Sequence, residues 1–341
     1  MGRILTGDRP TGPLHNGHYF GSLKNRVELQ TLHETYILIA DLQALTDNFD
    51  DPQKVRDNVK EVLLDYLACG INPDKTNIVL QSKIPAISEL TIYFSNLVTM
   101  ARLSRNPTVK EEIKQKQHLA GDSLTYGFFG YPVSQAADIL SFNADIVPVG
   151  EDQLPMIELT REIARRFNQI YGQFFVEPDA IVPKGSSRVM GLDGNSKMSK
   201  SLGNAIYIKD TPDEIKQKIF SAYTDPLKLR KNDAGHPDGC MVYYYRKLFT
   251  ENNIAQNELQ QVYQQCKNGE RGCVLCKQEL TEIVVNFLKP FYEKRREMEK
   301  DISIPFKILR NGTRKANEVT DKILQDAKSL MKIDYNFIFK I

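Results

Sequence analysis

Long apolar runs are missing from this chain. No stretch approaches the roughly 20 residues that span a bilayer, and no basic-then-apolar leader opens the sequence. Both absences point to a cytoplasmic protein. Charge of one sign is also scarce: 45 lysines and arginines stand against 43 acids, a net of +2, so contact with nucleic acid must come from local basic patches. There is no Ser/His/Asp-type hydrolase signature, no internal repeat and no low-complexity tract. Cysteines number only five, which without an export signal argues against structural disulfides and for free thiols or metal ligands. Met1-Gly2-Arg3-Ile4-Leu5-Thr6 fits the loose myristoylation pattern, but Gly2 leads at once into a first strand that should be buried.

What is present reads as two kinds of chain within 341 residues, enough for about two domains with a real core. The first half alternates strands and helices. Apolar runs at Arg3–Thr6, Thr35–Ala40, Asn77–Gln81 and Asp145–Val149 suit buried strands. Asp51-Pro52 opens a helix with Val55, Val59, Val62, Leu63, Tyr66 and Leu67 at helical spacing; Ser88 caps another expected to run to Leu103. Behind Gly150 a long helix passes through Ile157, Ile163 and Phe167. From Thr211-Pro212-Asp213-Glu214 onward the pattern is helical, charged and rich in glutamine. The fold class expected is therefore α/β, a doubly wound parallel sheet of Rossmann-like form in 1–203, followed by an all-α domain in 204–310.

Two compact polar stretches carry most of the chemistry. His15-Asn16-Gly17-His18 follows the first strand and a turn-rich segment, Gly7-Asp8-Arg9-Pro10-Thr11-Gly12-Pro13, where a helix begins. A strand, a glycine turn and a helix start favour phosphate, because free N–H groups and the helix dipole face it. Two imidazoles there can hydrogen-bond a phosphate, and Gly17 leaves a surface without Cβ for a flat base. Lys197-Met198-Ser199-Lys200-Ser201 carries two lysines and two hydroxyls between Gly194 and Gly203, as expected of a loop that closes on a triphosphate.

In this order and separation the two stretches resemble the signature motifs of class I aminoacyl-tRNA synthetases. Thr6-Gly7-Asp8-Arg9-Pro10-Thr11-Gly12, Ala136-Ala137-Asp138-Ile139-Leu140 and Val147-Pro148-Val149-Gly150-Glu151-Asp152-Gln153 resemble the tryptophanyl-tRNA synthetase family, from Arg3 to about Met331. Many bacterial members have Thr and Asn where this chain has His15 and His18, so it resembles the branch that keeps both histidines. The resemblance implies ATP (with Mg2+), L-tryptophan and tRNA(Trp) as partners, a homodimer, and a C-terminal helix in 311–341 packed back on the catalytic domain. It places His15, Gly17 and His18 in the first ATP motif, with Arg9, Pro10 and Thr11 lining the turn before it. Lys197 and Lys200 would grip the β- and γ-phosphates, beside Met198, Ser199 and Ser201. Gly150, Glu151 and Asp152 lie at a strand-to-helix edge, where Asp152 can accept from ribose hydroxyls. Val189 matches a position that meets adenine.

Asp138 is the candidate for specificity. It sits in an apolar helical stretch, where an unpaired carboxylate is costly to bury, and one indole N–H is the donor that would answer it. Tyr131 and Gln153 are candidates for the substrate ammonium, Val147 and Val149 for the walls of the ring. Gln135 stands where many members carry an apolar residue before the two alanines. No inserted editing domain is visible.

Cys240, Cys266, Cys273 and Cys276 are spaced C-x25-C-x6-C-x2-C, with Cys69 apart. Clustered thiols suggest tetrahedral ligation of zinc or of an iron–sulfur cluster. The x6 and x2 gaps resemble a subset of the family that binds [4Fe–4S], whose first gap is shorter; free thiols remain a third reading. Lys228, Arg230, Lys231, Lys294, Arg295 and Arg296 offer a basic surface for tRNA, although the interleaved acids Glu293, Glu297 and Glu299 suit a solvated face equally. Three other activities fit parts of the pattern: a tyrosyl-tRNA synthetase, a non-catalytic RNA-binding or redox-sensing paralogue, and a small-molecule nucleotidylyltransferase.

Overall fold

The computed structural model describes residues 2–120, 125–182, 189–250, 255–335 and 337–338. By contacts the chain divides into two compact units: one of 1–12, 22–186 and 301–341, the other of 13–21 and 187–300.

The first unit is built on a five-stranded sheet in the order β3-β2-β1-β4-β5, all parallel. The strands are β1 (Arg3–Asp8), β2 (Glu34–Ile39), β3 (Thr76–Leu80), β4 (Ile146–Pro148) and β5 (Asp179–Ile181). β2 is buried from Thr35 to Ile39, as a central parallel strand covered on both faces must be. The short edge strand β5 is absent from the sequence reading, because three residues carry no measurable alternation. Helix Pro52–Ala68 starts where the sequence places it. The Asp51 side chain accepts from the Lys54 N–H and Pro52 takes the first turn, where its missing N–H costs nothing.

Two expectations need correction. The helix expected from Ser88 to Leu103 is two helices, Pro85–Ser95 and Met100–Ser104. Pro85 sets the first start ahead of Ser88, and Thr99 caps the second by accepting from the Arg102 N–H. The last helix is Ser303–Leu330, which begins ahead of the 311–341 stretch that the resemblance implies. It packs on β3, and Gly312 hides the continuity: a Cβ there would lie 2.2 Å from the Ile78 carbonyl oxygen. Beside it Thr313 Oγ1 accepts from the Leu80 N–H at 3.1 Å, and Ala316, Ile323, Leu324 and Ala327 join the main core.

The second unit is mainly helical. Helices Pro212–Ser221, Met241–Phe249 and Cys273–Lys300 surround Ile215, Ile219, Tyr245, Leu280, Val284 and Leu288. Thr211 and Glu214 form a reciprocal cap at the first of these. The contact division falls at 187 and 301, whereas the expected boundaries are 203, where the pattern changes, and 310, which the resemblance implies. Segment 189–204 is tied to the helical core: the Tyr244 hydroxyl accepts from the Met190 N–H at 3.3 Å, and Tyr245 donates to the Met190 carbonyl.

Candidate active site

In the second unit the two polar stretches meet. The Gly17 N–H points at Met198 Sδ at 3.2 Å. The Asn16 N–H donates to the Ile206 carbonyl at 2.9 Å and the His18 N–H to the His15 carbonyl at 2.8 Å. The donors expected to be open for phosphate are thus occupied in this structure, the one at Gly17 by a weak sulfur acceptor that a phosphate oxygen outcompetes. The His15 and His18 rings lie 3.9 Å apart, and the His15 N–H donates to His18 Nδ1 at 3.2 Å. A Cβ at Gly17 would fall 2.9 Å from the His15 ring and 3.5 Å from Met198 Cβ. A side chain there would displace the His15 ring, which occupies the surface expected to face a flat base.

The lysine-bearing loop is anchored by a residue that the sequence reading passes over. Asn204, buried, donates to Asp193 Oδ2 and Ser196 Oγ at 3.1 Å each and to the Lys197 carbonyl at 3.3 Å. Its Oδ1 accepts from the Ser199 N–H at 2.8 Å. Burial works against the Asp193 carboxylate, yet the hydrogen bonds from Asn204 and Ser196 prevail and lower its pKa. Met198 and Val189 are buried in the unit's core and joined by the Met198 N–H and Val189 carbonyl at 2.9 Å. Lys197 is exposed, Lys200 half-buried, and the Ser199 and Ser201 hydroxyls are 3.0 Å apart. Buried residues fix the loop; its lysines project from it.

In the first unit the end of β1 is held from below. Arg26 donates to Asp8 Oδ2 at 2.6 Å and Tyr66 donates to the same oxygen at 2.7 Å. Burial opposes the Arg26 charge, but Asp8 and Tyr66 outweigh it and raise its pKa. Arg26 is buried and Asp8 partly so, and the turn that follows begins directly after them. There Pro10 is buried, the Thr11 N–H bonds the Arg9 carbonyl at 2.9 Å, and Arg9 pairs with Asp47 at 2.6 Å. Beyond β4, Gly150 precedes the single turn Glu151–Gln153 and then helix Leu154–Tyr171. Glu151 and Asp152 are exposed, and Gln153 donates to Asp152 Oδ2 at 3.1 Å.

Helix Tyr126–Ser141 carries Tyr131 and Asp138, both buried. Burial raises the Tyr131 hydroxyl's pKa, the Glu112 carboxylate adds to the shift and Arg9 opposes it, which brings Arg9, Glu112 and Tyr131 into one neighbourhood. The ring packs with Val109, Phe128 and Met156. Asp138 is 5% exposed and accepts from Gln81 Nε2 at 2.7 Å. Burial pushes its carboxyl up to about 7; the Gln81 bond opposes that and Asp41 adds to it. Val147 is buried and Val149 half-buried against the main core, and Gln135 is half-buried. Sequence reasoning placed Gln81 merely at a strand end. Its tie to Asp138, 57 residues away, is long-range and leaves no local signal.

Cys240, Cys266, Cys273 and Cys276 line one small cavity in the second unit, with Arg246 and Arg271. Burial and the neighbouring cysteines raise the thiols of Cys266 and Cys273. Burial raises Cys276 against the opposing Arg271, whose Nε donates to the Cys276 sulfur at 3.3 Å. Among the described residues no group of three or more His, Cys, Asp or Glu side chains is gathered at metal-holding distance. Two of the basic residues expected on a tRNA-facing surface serve the structure instead. Lys228 is buried and donates to the Lys231 and Asp233 carbonyls, and Arg295 is buried and pairs with Glu299 at 3.2 Å.

Residues 2–289 match the family of tRNA synthetases class I (W and Y). The chain is 51% identical to the tryptophan–tRNA ligase of Clostridium longisporum, over 98% of both chains. It is 47% identical to that of Streptococcus pyogenes, over 97% of this chain and 98% of that one. Its structure is similar to a tryptophanyl-tRNA synthetase from Campylobacter jejuni complexed with ADP and tryptophan. The TM-score is 0.86 and the identity 32%, over 97% of this chain and 99% of that one.

Proposed function

The chain belongs to the class I tRNA synthetases that serve tryptophan and tyrosine, and on that premise we propose how its residues divide the two steps of tryptophan–tRNA ligation. Its activity is that of a tryptophan–tRNA ligase, with ATP, tryptophan and tRNA(Trp) as substrates. Tryptophan's carboxylate attacks the α-phosphorus of ATP and pyrophosphate departs with the electron pair of the broken P–O bond. A terminal ribose hydroxyl of the tRNA then attacks the acyl carbon and AMP leaves. Neither step needs a protein nucleophile, so positioning and charge stabilisation carry the rate.

His15 and His18 hydrogen-bond the phosphates as charge migrates, and Lys197 and Lys200 take up the charge of departing pyrophosphate, with Mg2+ as the nucleotide's counterion. Arg9, Pro10, Thr11, Gly17, Gly150, Glu151, Val189, Met198, Ser199 and Ser201 line the nucleotide; Asp152 accepts from its ribose. Asp138 accepts the indole N–H, Tyr131 and Gln153 hold the ammonium, and Val147 and Val149 flank the ring. The observation that carries this assignment is the meeting of the two polar stretches at Gly17 and Met198. The test is charging of tRNA(Trp) with labelled tryptophan. Wild-type protein charges it and the His18→Ala protein falls by about 10²-fold in kcat, as expected for loss of one oxyanion donor. Equal rates would remove His18 from the chemistry. The tyrosyl, non-catalytic and nucleotidylyltransferase alternatives have no support beside relatives that are tryptophan ligases at 51% and 47% identity.

The four cysteines on one cavity are the soft thiolate donor set that a [4Fe–4S] cluster, or zinc as the alternative, takes, and binding either would need the four sulfurs drawn closer than they stand here. When bound, the cluster supplies a covalent cross-link among the segments that carry Cys240, Cys266, Cys273 and Cys276; aminoacylation itself involves no electron transfer. Arg271 beside Cys276 offsets thiolate charge there. Iron and acid-labile sulfide in anaerobically purified protein support the cluster; zinc alone, or no metal, removes it. The protein acts as a homodimer, which light scattering checks, and it binds tRNA through exposed basic residues such as Arg230, Lys231 and Arg296.

A further inference from the structure

Gln81 has no place in the chemistry above, yet no part of its surface is exposed to solvent. Its amide is held at both ends. Oε1 accepts from the Gln43 N–H at 3.1 Å, and Nε2 donates to Asp138 Oδ1 at 2.7 Å. Only one orientation satisfies both partners: turned over, the amide would set its carbonyl against a carboxylate and its NH2 against an N–H. Next to it the Ser82 N–H donates to Asp41 Oδ1 at 2.8 Å, so the start of helix Asp41–Asn48 is fixed against the same segment. Among the described residues, Gln81 is the one hydrogen-bond partner seen on the Asp138 carboxylate, which leaves Oδ2 to a ligand.

We infer that Gln81 is a positioning residue for tryptophan selectivity: it anchors Oδ1 of Asp138, so that Oδ2 is presented in one direction as the acceptor for the indole N–H. The inference rests on the proposal that Asp138 reads the indole. A carboxylate buried without a donor both rotates and loses its charge, and each change weakens it as an acceptor. Gln81 opposes both. The charged group acting on Asp138 from the helix packed against it is Asp41, whose repulsion makes the Gln81 donor more necessary.

Gln81→Met keeps the length and apolar contacts of the side chain and removes the donor. At pH 7 its KM for tryptophan in pyrophosphate exchange should rise about 10-fold with kcat within about twofold, as for loss of one hydrogen bond to a charged group. The pH at which KM falls should move up from the wild-type value, so that the gap between the two proteins narrows as pH rises. A merely structural role would lower the melting temperature and leave that profile in place. The chain contains no tryptophan, so the change in the ligand's own emission on binding reports its Kd with no protein indole emission laid over it. Should the methionine protein not fold, Gln81→Asn withdraws the amide by one methylene and gives the same test. Wild-type KM and an unshifted profile in a folded variant overturn the positioning role. Asp138→Ala separates the two layers: if it keeps full tryptophan selectivity, the indole assignment itself fails. If selectivity collapses while Gln81→Met is silent, only the role of Gln81 fails.

Discussion

Asp138 in the first unit and Lys197 in the second are both charged-type residues assigned to substrate, and their surroundings are opposite. Asp138 is 5% exposed and bonded to a Gln81 that is itself locked by backbone. Lys197 is exposed on a loop whose fixed points, Met198, Val189 and Asn204, are all buried. On the proposed roles, the difference follows from the ligands. One indole N–H is told from its absence only by an acceptor that cannot find water instead, which requires burial. A triphosphate needs charge delivered over a range of geometries, which long side chains on an anchored loop supply.

That contrast can be broken at four points. Removing both loop lysines, Lys197→Ala with Lys200→Ala, should reduce kcat for pyrophosphate exchange about 10³-fold and leave the tryptophan Kd within about twofold. A large change in tryptophan affinity would mean that the two functions are not divided. Arg26→Met leaves the partly buried Asp8 without its cation, though still bonded by Tyr66, and should destabilise the protein by about 1–3 kcal/mol, read as a fall in denaturation midpoint. Exchange per folded molecule should change far less, since Arg26 touches no substrate. Asn204→Ala releases the loop at its anchor and should lower kcat by about 10-fold, the loss of one or two hydrogen bonds to the loop backbone. The smallest effect is on stability against pH. Asp138 has a folded pKa of about 7, above an unfolded carboxylate's ~3.9, so its favourable contribution is present below about pH 4 and is lost as pH rises through 7. Asp138→Asn should therefore melt higher than wild type at pH 8, with the gap shrinking toward pH 5.

The comparison also explains what the sequence makes legible. Strands β1 to β4, the Asp51-Pro52 and Thr211-Pro212 helix starts and the burial of Asp138 depend on local pattern and on the cost of burying charge, so they can be read from the chain. Gln81, Asn204 and the Asp8–Arg26–Tyr66 group cannot. Each acts through a partner far off in sequence or through a side-chain amide that looks like any other polar residue. The early start of helix Ser303–Leu330 is hidden for a related reason. Gly312 breaks its apolar period, and only the backbone of β3 passing within van der Waals distance shows why glycine is there.

The most direct measurement is amino-acid-dependent exchange of labelled pyrophosphate into ATP, with tryptophan, tyrosine and phenylalanine assayed side by side on wild type and Asp138→Ala. Wild type should exchange with tryptophan alone, and Asp138→Ala should retain the phosphate chemistry while losing at least about 10²-fold in preference for tryptophan over phenylalanine. Unchanged preference in the variant, or exchange with tyrosine by the wild type, would contradict a buried carboxylate as the reader of the indole.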